Sequence, residues 1–302
     1  TGNIVGVATA LVSGGAGALF WMWIAALFGM ATKYAEGVLA IKYRTIDENG
    51  HVLGGPFYYI ENGMGKNWRW LGKIFAFFGA GVGLLGIGTF TQVNGITAAA
   101  GNFFDQNREH VINLFGNDYS IAVVVTGILL TICVALVVLG GIQRIASVSS
   151  VIVPFMAVFY IIACIAILVL NAARIPAAFA EIIQSAFGLR AAAGGALGAV
   201  LIAMQKGIAR GIFSNEAGLG SAPIAAAAAQ TNEPARQGLV TMTGTFIDTI
   251  IVCTMTGLCI VLTGSHTAGL EGVAVTTRAF QMGLPVPAQF SAFLLMMCLI
   301  FF

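Results

Sequence analysis

Two glycine-rich interruptions of apolar segments constrain the fold of this chain more than any other feature. The first is T-G-N at residues 1–3, and the second is G-I-F-S-N-E-A-G-L-G-S at residues 211–221. Lipid offers no partners for free backbone N–H and C=O groups, so a broken helix at membrane depth must line a cavity or be buried in protein. Paired breaks in two halves of a chain point to a transporter's binding site. The pattern therefore predicts a membrane transporter.

The composition agrees with a protein that crosses a membrane several times. Of the 302 residues, 58% are hydrophobic and only 9% are charged, and the mean hydropathy is +0.92. Soluble domains carry roughly 25% charged residues. The five cysteines and three histidines show no CxxC or HExxH spacing, so we expect no bound cofactor and no metalloprotease centre. A net charge of +2 gives no indication of a nucleic-acid partner, and we expect none.

Hydrophobic runs divide the chain into membrane spans, because a spanning helix needs about 20 apolar residues. Residues 3–13 are too short to cross and are interpreted as half of a broken helix. The run at 71–103 would be roughly 50 Å long at about 1.5 Å per residue, so it must tilt or protrude. The predicted fold class is all-α, a polytopic membrane helical bundle. Its predicted full spans are 18–42, 71–103, 119–139, 146–171, 193–230 (interrupted at 211–221), 238–263 and 286–302.

Positive charges in the loops predict the orientation. The 43–70 connection is placed in the cytoplasm because it and its edges contain Lys42, Arg44, Lys66, Arg69 and Lys73. The helix with the first break then runs outward and the helix with the second runs inward, as an inverted repeat requires. The spacing of the breaks predicts a repeat of five helices. We expect one transporter domain over 1–302, with a first repeat at about 1–172, a second starting at about 193, and further chain missing at both ends.

The first interruption offers ligands for both a substrate and a cation. A break exposes N–H groups, which suit a carboxylate, and carbonyl groups, which suit Na⁺. We therefore expect Thr1, Gly2 and Asn3 to bind substrate, with the Asn3 side chain also supplying a neutral oxygen to the hard cation. The alternative is an ordinary helix N-cap at the membrane edge.

The second interruption combines glycines with polar side chains. Gly218 and Gly220 can adopt the positive φ that a helix break needs. Ser214 and Asn215 can hydrogen-bond a zwitterionic ligand, and the apolar side chains before them can cap a small pocket. The predicted substrate-binding residues of this segment are Gly211, Ile212, Phe213, Ser214 and Asn215.

Glu216 is the charged residue of the second interruption. A carboxylate at bilayer depth costs about 2.5–3.5 kcal/mol on insertion scales, so it is rarely without a role. Lys206 and Arg210, one turn apart on the preceding half-helix, are its expected partners. Two interpretations stay open. One is a structural salt bridge, and the other is a gating element formed by Glu216, Gly218, Gly220, Arg210 and Lys206.

Asp248 is the second isolated carboxylate in an apolar segment, within G-T-F-I-D-T. The same cost argument applies to it. Thr245 and Thr249 supply oxygen atoms nearby, and Thr245 lies about one turn earlier on the helix. A sodium ligand, a proton carrier and a structural hydrogen-bond hub all fit this pattern.

Three further groups of polar side chains lie within predicted spans. Gln92 and Asn94 are amides inside the 71–103 span. They can read the ammonium or carboxylate of a substrate, or they can hold helices together by hydrogen bonds. Lys33 and Glu36 are three residues apart near the inner end of the 18–42 span, and we expect them to pair and to extend toward the membrane interface.

Four segments carry a resemblance to a known family. They are T-G-N-I-V-G-V-A-T-A at 1–10, F-W-M-W-I-A-A-L-F-G-M-A-T-K-Y-A-E at 20–36, G-G-P-F-Y-Y-I-E-N-G-M-G at 54–65 and G-I-F-S-N-E-A-G-L-G-S-A-P at 211–223. The chain resembles the alanine or glycine:cation symporter family over essentially its whole length. It departs from the family pattern at Ala16, where Pro is expected, and at Phe57, where Met is expected.

The resemblance implies a fold similar to that of the bacterial leucine transporter and sodium-coupled uptake of alanine or glycine by alternating access. It implies that Gly2 and Asn3 hold the substrate carboxylate and a sodium ion, and that 211–215 completes the pocket. Asp248 or Thr249 is assigned to sodium by its position on the following helix. The expected partners are a small amino acid, Na⁺ and the lipid bilayer, for a monomer in a prokaryotic inner membrane.

Three functions other than sodium-coupled uptake are conceivable for a chain with these features. A proton-coupled carrier would use Asp248 or Glu216 as the proton acceptor. An intramembrane enzyme would need a convergent catalytic set, which the sequence does not show, so we expect no enzyme. A passive channel fits poorly, because paired breaks suit an occluded site better than a continuous pore.

Overall fold

The computed structural model describes residues 2–48, 50–86, 88–106, 109–114, 116–188 and 195–301, except for the side chain of Ile142. Thr1, which we predicted to bind substrate, lies outside the described residues. The described chain is a bundle of helices with two small antiparallel hairpins, Thr45–Ile46 with Val52–Leu53 and Val111–Leu114 with Asn117–Ser120. This confirms the predicted all-α membrane bundle.

The helices follow the predicted spans closely. In chain order they are α1 Gly2–Gly14, α2 Ala18–Lys42, α3 Pro56–Tyr59 continuing as a π turn over Ile60–Met64, α4 Arg69–Leu84, α5 Thr89–Phe104, α6 Ile121–Val138, α7 Gly141–Leu170, α8 Ile175–Ala186, α9 Ala196–Asn215, α10 Ser221–Ala227, α11 Pro234–Leu262, α12 Val273–Gly283 and α13 Ala288–Phe301. Short 3₁₀ turns lie at Lys66–Trp68, Ala172–Arg174 and Ser265–Thr267.

Six apolar segments of the described chain are long enough to cross a membrane. They correspond to α2, the Lys66–Phe104 segment, α6, most of α7, α9 and α11, while α1 and α13 are shorter apolar helices. The prediction of one continuous helix over 71–103 is wrong. α4 ends at Leu84 and α5 begins at Thr89, because Gly86 and Gly88 between them have φ of +61° and +91°. Only glycine adopts such angles readily.

Helix α2 lies at the centre of the bundle and packs against α9, α10 and α11. Small residues permit this close approach. A Cβ added to Gly207 on α9 would lie 2.3 Å from the carbonyl oxygen of Ala18, and one added to Gly37 would lie 2.9 Å from the carbonyl oxygen of Gln237. The backbones of α2, α9 and α11 are therefore in direct contact, which holds their polar side chains in fixed relation.

The second interruption is shorter than the sequence predicts. Gly211–Asn215 belong to helix α9, so the prediction that these residues are unwound is wrong. The helix ends because Glu216 adopts a left-handed conformation (φ +57°), and Gly218 and Gly220 follow with φ of +81° each. The break therefore spans residues 216–220, between α9 and α10.

Two segments of π-helix mark the places where the polar side chains cluster. They are Gly2–Gly6 at the start of α1 and Phe246–Cys253 in the middle of α11, and they contact each other. π-Helical turns are rare and occur often at functional sites. The isolated carboxylate of Asp248 lies in the second of them.

Candidate functional site

The start of α1 and the end of α9 meet at the candidate functional site. A Cβ added to Gly2 would lie 2.8 Å from the Cα atom of Ser214, so only glycine allows the two backbones to approach this closely. Residues that are 212 positions apart in the sequence are thus brought together. This contact lies beside a central cavity of about 970 Å³.

The central cavity contains several of the residues that the sequence predicts for the site. Its polar lining comes from Gly2, Asn3, Gln92, Ser214 and Asp248, with Glu216 and Ser221 also present. Its apolar walls come from Val82, Val153, Met156, Ala157, Phe213 and Val252. The cavity is larger than a small amino acid, and the tight pocket capped by Ile212 and Phe213 stays a prediction. Phe213 lines the cavity and Ile212 does not.

Asp248 is the hub of a hydrogen-bond network that ties the start of α1 and the end of α9 to α11. Asn3 Nδ2 donates to its carboxylate Oδ1 over 2.7 Å and to its backbone carbonyl over 3.0 Å. The hydroxyl groups of Ser214 and Thr249 each donate to Oδ2 over 2.9 Å. Since Asn3 uses its amide nitrogen for these bonds, its Oδ1 is left for another partner.

Asn215 extends this network away from the central cavity. It is buried, and its Nδ2 donates to the hydroxyl of Thr249 over 3.1 Å, while its Oδ1 accepts from the backbone N–H of Ala217 over 3.0 Å. The Asn215 amide is thus occupied by protein partners. It holds Thr249 in place and caps the end of α9, rather than facing the central cavity as the substrate ligand we predicted.

Thr245 faces a second, smaller space that we call the side cavity, of about 240 Å³. The side cavity is lined by Lys33, Ser214, Asn215, Glu216, Thr241, Gly244, Thr245 and Asp248. The Thr245 side chain is buried, and its hydroxyl has no hydrogen-bond partner among the described residues. An unpaired buried hydroxyl is costly. It is therefore an oxygen atom available to a ligand in this space.

Gln92 is another buried polar group directed at the site. Its Nε2 has no hydrogen-bond partner among the described residues, and the side chain lines the central cavity. Asn94, which we paired with it, lines a different cavity of about 600 Å³, together with Arg210 and Glu271. Asn94 and Gln92 were predicted to lie in one site. They line different cavities, because side chains two residues apart on a helix point in different directions.

Glu216 does not pair with the two basic residues that we expected. Its Oε2 accepts a hydrogen bond from the Ser221 hydroxyl over 2.6 Å, across the break. The guanidinium of Arg210 lies 5.7 Å from the ring centroid of Phe213. Lys206 is exposed and packs near Gly14 at the end of α1. No ion pair of Glu216 with either residue occurs in the described structure, since the left-handed turn at Glu216 directs its side chain forward to Ser221.

Lys33 and Glu36 were predicted to extend to the interface, and this prediction is wrong. Their side chains are only 6% and 7% exposed, respectively. The Glu36 carboxylate faces the backbone of Gly218 and Gly220, and its Oε2 has no hydrogen-bond partner in the described structure. Lys33 lines the side cavity with Asp248. The sequence held a signal for this, because Lys33 is nine residues, or about 14 Å, from the end of α2.

Gly211 is buried and has a packing role. A Cβ added there would lie 3.4 Å from the Cα of Met22 and 3.5 Å from the Cβ of Ala25, both on α2. It lines none of the three cavities described here. With Gly207, it forms the small-residue surface through which α9 contacts α2.

Replacing Gly218 by valine is expected to abolish transport while leaving membrane insertion intact. A β-branched residue strongly disfavours φ of +81°, so the backbone of the break between α9 and α10 could not keep its present path. The measurement is uptake by purified protein of known amount in vesicles. Gly198→Val on α9 is the control, since Gly198 does not have a positive φ and no atom lies within 4 Å of an added Cβ. Normal uptake by Gly218→Val would exclude this break from the working site.

The chemistry of the network suits a hard cation. The carboxylate of Asp248 and the hydroxyls of Ser214, Thr245 and Thr249 provide oxygen donors, and Asn3 Oδ1 provides another. Hard cations such as Na⁺ take oxygen ligands, in contrast to the Cys and His of zinc sites. The described residues contain no group of three or more His, Cys, Asp or Glu that could hold a metal ion.

The chain is similar over its whole length to known membrane transporters. All of residues 1–302 match the model of the sodium:alanine symporter family. An uncharacterised transporter of Haemophilus influenzae is 58% identical over 286 residues, covering 94% of this chain and 59% of the relative. The sodium/alanine symporter AgcS of Methanococcus maripaludis is 50% identical over 292 residues, covering 95% of this chain and 60% of the relative. Both relatives are named as transporters, which agrees with the prediction that this chain is a transporter and not an enzyme.

A more distant relative is named for a different amino acid. The probable sodium/glutamine symporter GlnT of Bacillus subtilis is 39% identical over 303 residues, covering 100% of this chain and 58% of the relative. The chain spans about 60% of the length of the curated relatives it matches. The names of these relatives differ in their amino acid and agree on sodium where they specify a cation.

Proposed function

Because the chain belongs to the sodium:alanine symporter family, we propose that its protein takes up a small neutral amino acid, alanine or glycine, together with Na⁺. Transport proceeds by alternating access, without covalent chemistry. The protein acts as a monomer in the inner membrane of a prokaryotic cell. Its helices form two five-helix inverted repeats of the leucine-transporter type, each with one broken helix.

The observation that carries this proposal is the network at Asp248. One carboxylate, which is half-buried, receives hydrogen bonds from Asn3, Ser214 and Thr249, on three different segments. A cation bound there would neutralise a charge that is expensive at bilayer depth. It would also fasten α1 and α9 to α11 at one point, so its arrival and departure can favour different arrangements of these helices.

The substrate is proposed to bind in the central cavity beside this cation. The N–H groups near Gly2 attract its carboxylate, and the unpaired Gln92 amide nitrogen is a donor to the same group. Phe213 and the valine and methionine side chains of the wall contact the substrate side chain. The relatives named for alanine and for glutamine support a neutral amino acid. The proposal of alanine rests on the more similar of these two relatives, and that of glycine on the resemblance of the sequence motifs.

The driving force is sufficient for nutrient uptake. One positive charge that crosses 100 mV supplies about 2.3 kcal/mol. A tenfold sodium gradient adds about 1.4 kcal/mol. One coupled sodium ion can therefore sustain an amino acid gradient of roughly several hundredfold, by the same conversion.

The test is uptake of radiolabelled alanine by the full-length protein in proteoliposomes. An inward Na⁺ gradient is expected to drive accumulation, and replacement of Na⁺ by K⁺ is expected to abolish it. Unlabelled glycine should compete, and leucine should not. Glutamine is the informative further competitor, since one relative is named for it. Equal uptake with Na⁺ and K⁺ would contradict sodium coupling, and a requirement for an inward proton gradient would make Asp248 or Glu216 a proton acceptor.

A further inference from the structure

Lys33 is a buried cation that the proposed sodium and substrate sites do not use. It projects from α2 into the side cavity, which it shares with Asp248, Glu216 and Thr245. Its ammonium makes no ion pair within 4 Å of a carboxylate in the described structure, although its side chain is only 6% exposed. It is thus held near several acidic groups without being fixed to one of them.

The charges around Lys33 are unbalanced. The carboxylates of Glu216 and Asp248 line the side cavity with Lys33, and the buried Glu36 lies less than one turn further along α2. Among the described residues that line the side cavity, Lys33 is the only basic one. Three carboxylates therefore face one ammonium. Uncompensated charge at this depth is costly, so a further cation is favoured while Asp248 is ionised.

A second observation points to a ligand in the same space. The Thr245 hydroxyl is 2% exposed and has no hydrogen-bond partner in the described structure, and it lines the side cavity beside Asp248. The oxygen atoms of Thr245 and Asp248 can thus bind a positive charge that comes from the protein, on Lys33, or from solution.

We propose that Lys33 is an internal substitute for the transported cation, and that its ammonium neutralises Asp248 whenever the cation site is vacant. This inference rests on the proposed function, in which Asp248 binds Na⁺. When Na⁺ binds, it displaces the ammonium toward Glu36. When Na⁺ leaves to the cytoplasm, Lys33 returns to Asp248. The substrate-free protein then changes conformation without an unpaired carboxylate at bilayer depth.

Two consequences follow for transport. First, Lys33 competes with Na⁺, so removing its charge should strengthen sodium binding. Second, the return of the empty protein needs Lys33, whereas exchange of internal for external substrate does not, because Na⁺ remains available on both sides. A residue that only supports packing would affect net uptake and exchange equally. The ratio of the two rates therefore separates the two roles.

The experiment compares Lys33→Gln with wild type, using the full-length protein in proteoliposomes. The sodium concentration for half-maximal alanine exchange is expected to fall by at least about tenfold, because a positive charge that repels and competes with Na⁺ is removed. Net uptake into vesicles without internal substrate should fall by at least about tenfold, from the cost of an unpaired buried charge. Lys42→Gln, at the end of the same helix, is the matched control and should change neither quantity.

Several results would overturn the proposal. They are an unchanged or raised sodium requirement in Lys33→Gln, or an equal loss of exchange and net uptake. Lys33→Arg covers the case in which the glutamine variant is not produced in the membrane. It keeps the charge but enlarges the side chain, so the ratio of net uptake to exchange should stay that of wild type. A fall in that ratio would contradict the assigned role.

Asp248→Asn distinguishes this proposal from the proposed function. If it keeps normal sodium activation, the cation site lies elsewhere, and the proposed function of Asp248 fails. If it loses sodium activation while Lys33→Gln behaves as wild type, only the role assigned to Lys33 fails. Wild-type protein that shows no sodium dependence at all would reject sodium coupling itself.

Discussion

Asp248→Asn is expected to abolish sodium-driven accumulation of alanine, with at least about a hundredfold loss of initial uptake at low sodium. The amide keeps the size of the side chain but removes the charge, and it can accept through only one oxygen, where Asp248 accepts from Asn3, Ser214 and Thr249 through two. A unit charge about 4 Å from a cation contributes roughly 4 kcal/mol at an effective dielectric constant near 20. A hundredfold loss of uptake corresponds to about 2.8 kcal/mol, so loss of part of this electrostatic attraction is enough to cause it.

The measurement is initial uptake over a range of sodium concentrations, with protein amount in the vesicles determined separately. Asp105→Asn is the control for the same chemical change outside the spans. Asp105 lies in the 104–118 connection, where its carboxylate accepts from Ser120 and where that hydrogen bond lowers its pKa. Its variant should transport normally. If sodium activates Asp248→Asn as it activates wild type, Asp248 is not a ligand of the cation. Glu216 would then be the next candidate ligand.

Gly2→Ala is expected to reduce transport by about a hundredfold, although it adds a single methyl group. The new Cβ would lie 2.8 Å from the Cα of Ser214, and backbone atoms cannot move aside as a side chain can. Carbon atoms make favourable contact at about 3.5–4.0 Å, so α1 and α9 would separate by up to about 1 Å. Binding sites tolerate misplacement of about 0.5 Å, and the bonds from Asn3 and Ser214 to Asp248 would both lengthen.

The control for Gly2→Ala is Gly79→Ala on α4. Both glycines are helical, but nothing lies within 4 Å of a Cβ added to Gly79. Alanine there should leave transport unchanged and should stabilise the helix slightly. Adding Ser214→Gly to Gly2→Ala should not restore uptake, because the Cα of residue 214 remains. Full recovery in that double variant would show that the side chain of Ser214, and not the backbone contact, was the obstacle.

The sequence predicted the membrane spans well because each depends on local composition. Runs of about 20 apolar residues can be counted without knowing their neighbours, and α2, α6, α7 and α11 occur near the predicted bounds. The positive φ of Gly218 and Gly220 was likewise expected from residue type alone. The exact extent of the second break was not, because Gly211–Asn215 remain helical through their packing on α2.

The sequence predicted only some of the residues that form the site. Isolated carboxylates in apolar runs singled out Asp248 correctly as a hub of polar contacts, because burial of charge is costly wherever it occurs. Asn94 and the partners of Glu216 were misjudged, because sequence spacing does not give the direction of a side chain once helices bend or break. Lys33 was predicted to reach the interface. Its position nine residues before the end of α2 already indicates that it lies deeper.

From its sequence alone, then, this chain is determined to be a helical membrane protein with two polar breaks and two isolated carboxylates that must find partners. Only the tertiary structure decides which partners they find. Asn3 reaches Asp248 across 245 residues, and Lys33 enters the same small cavity as Asp248 from a third helix. Such encounters depend on the close approach of helix backbones at Gly2, Gly37 and Gly207, which is a property of packing between distant segments and not of any local pattern.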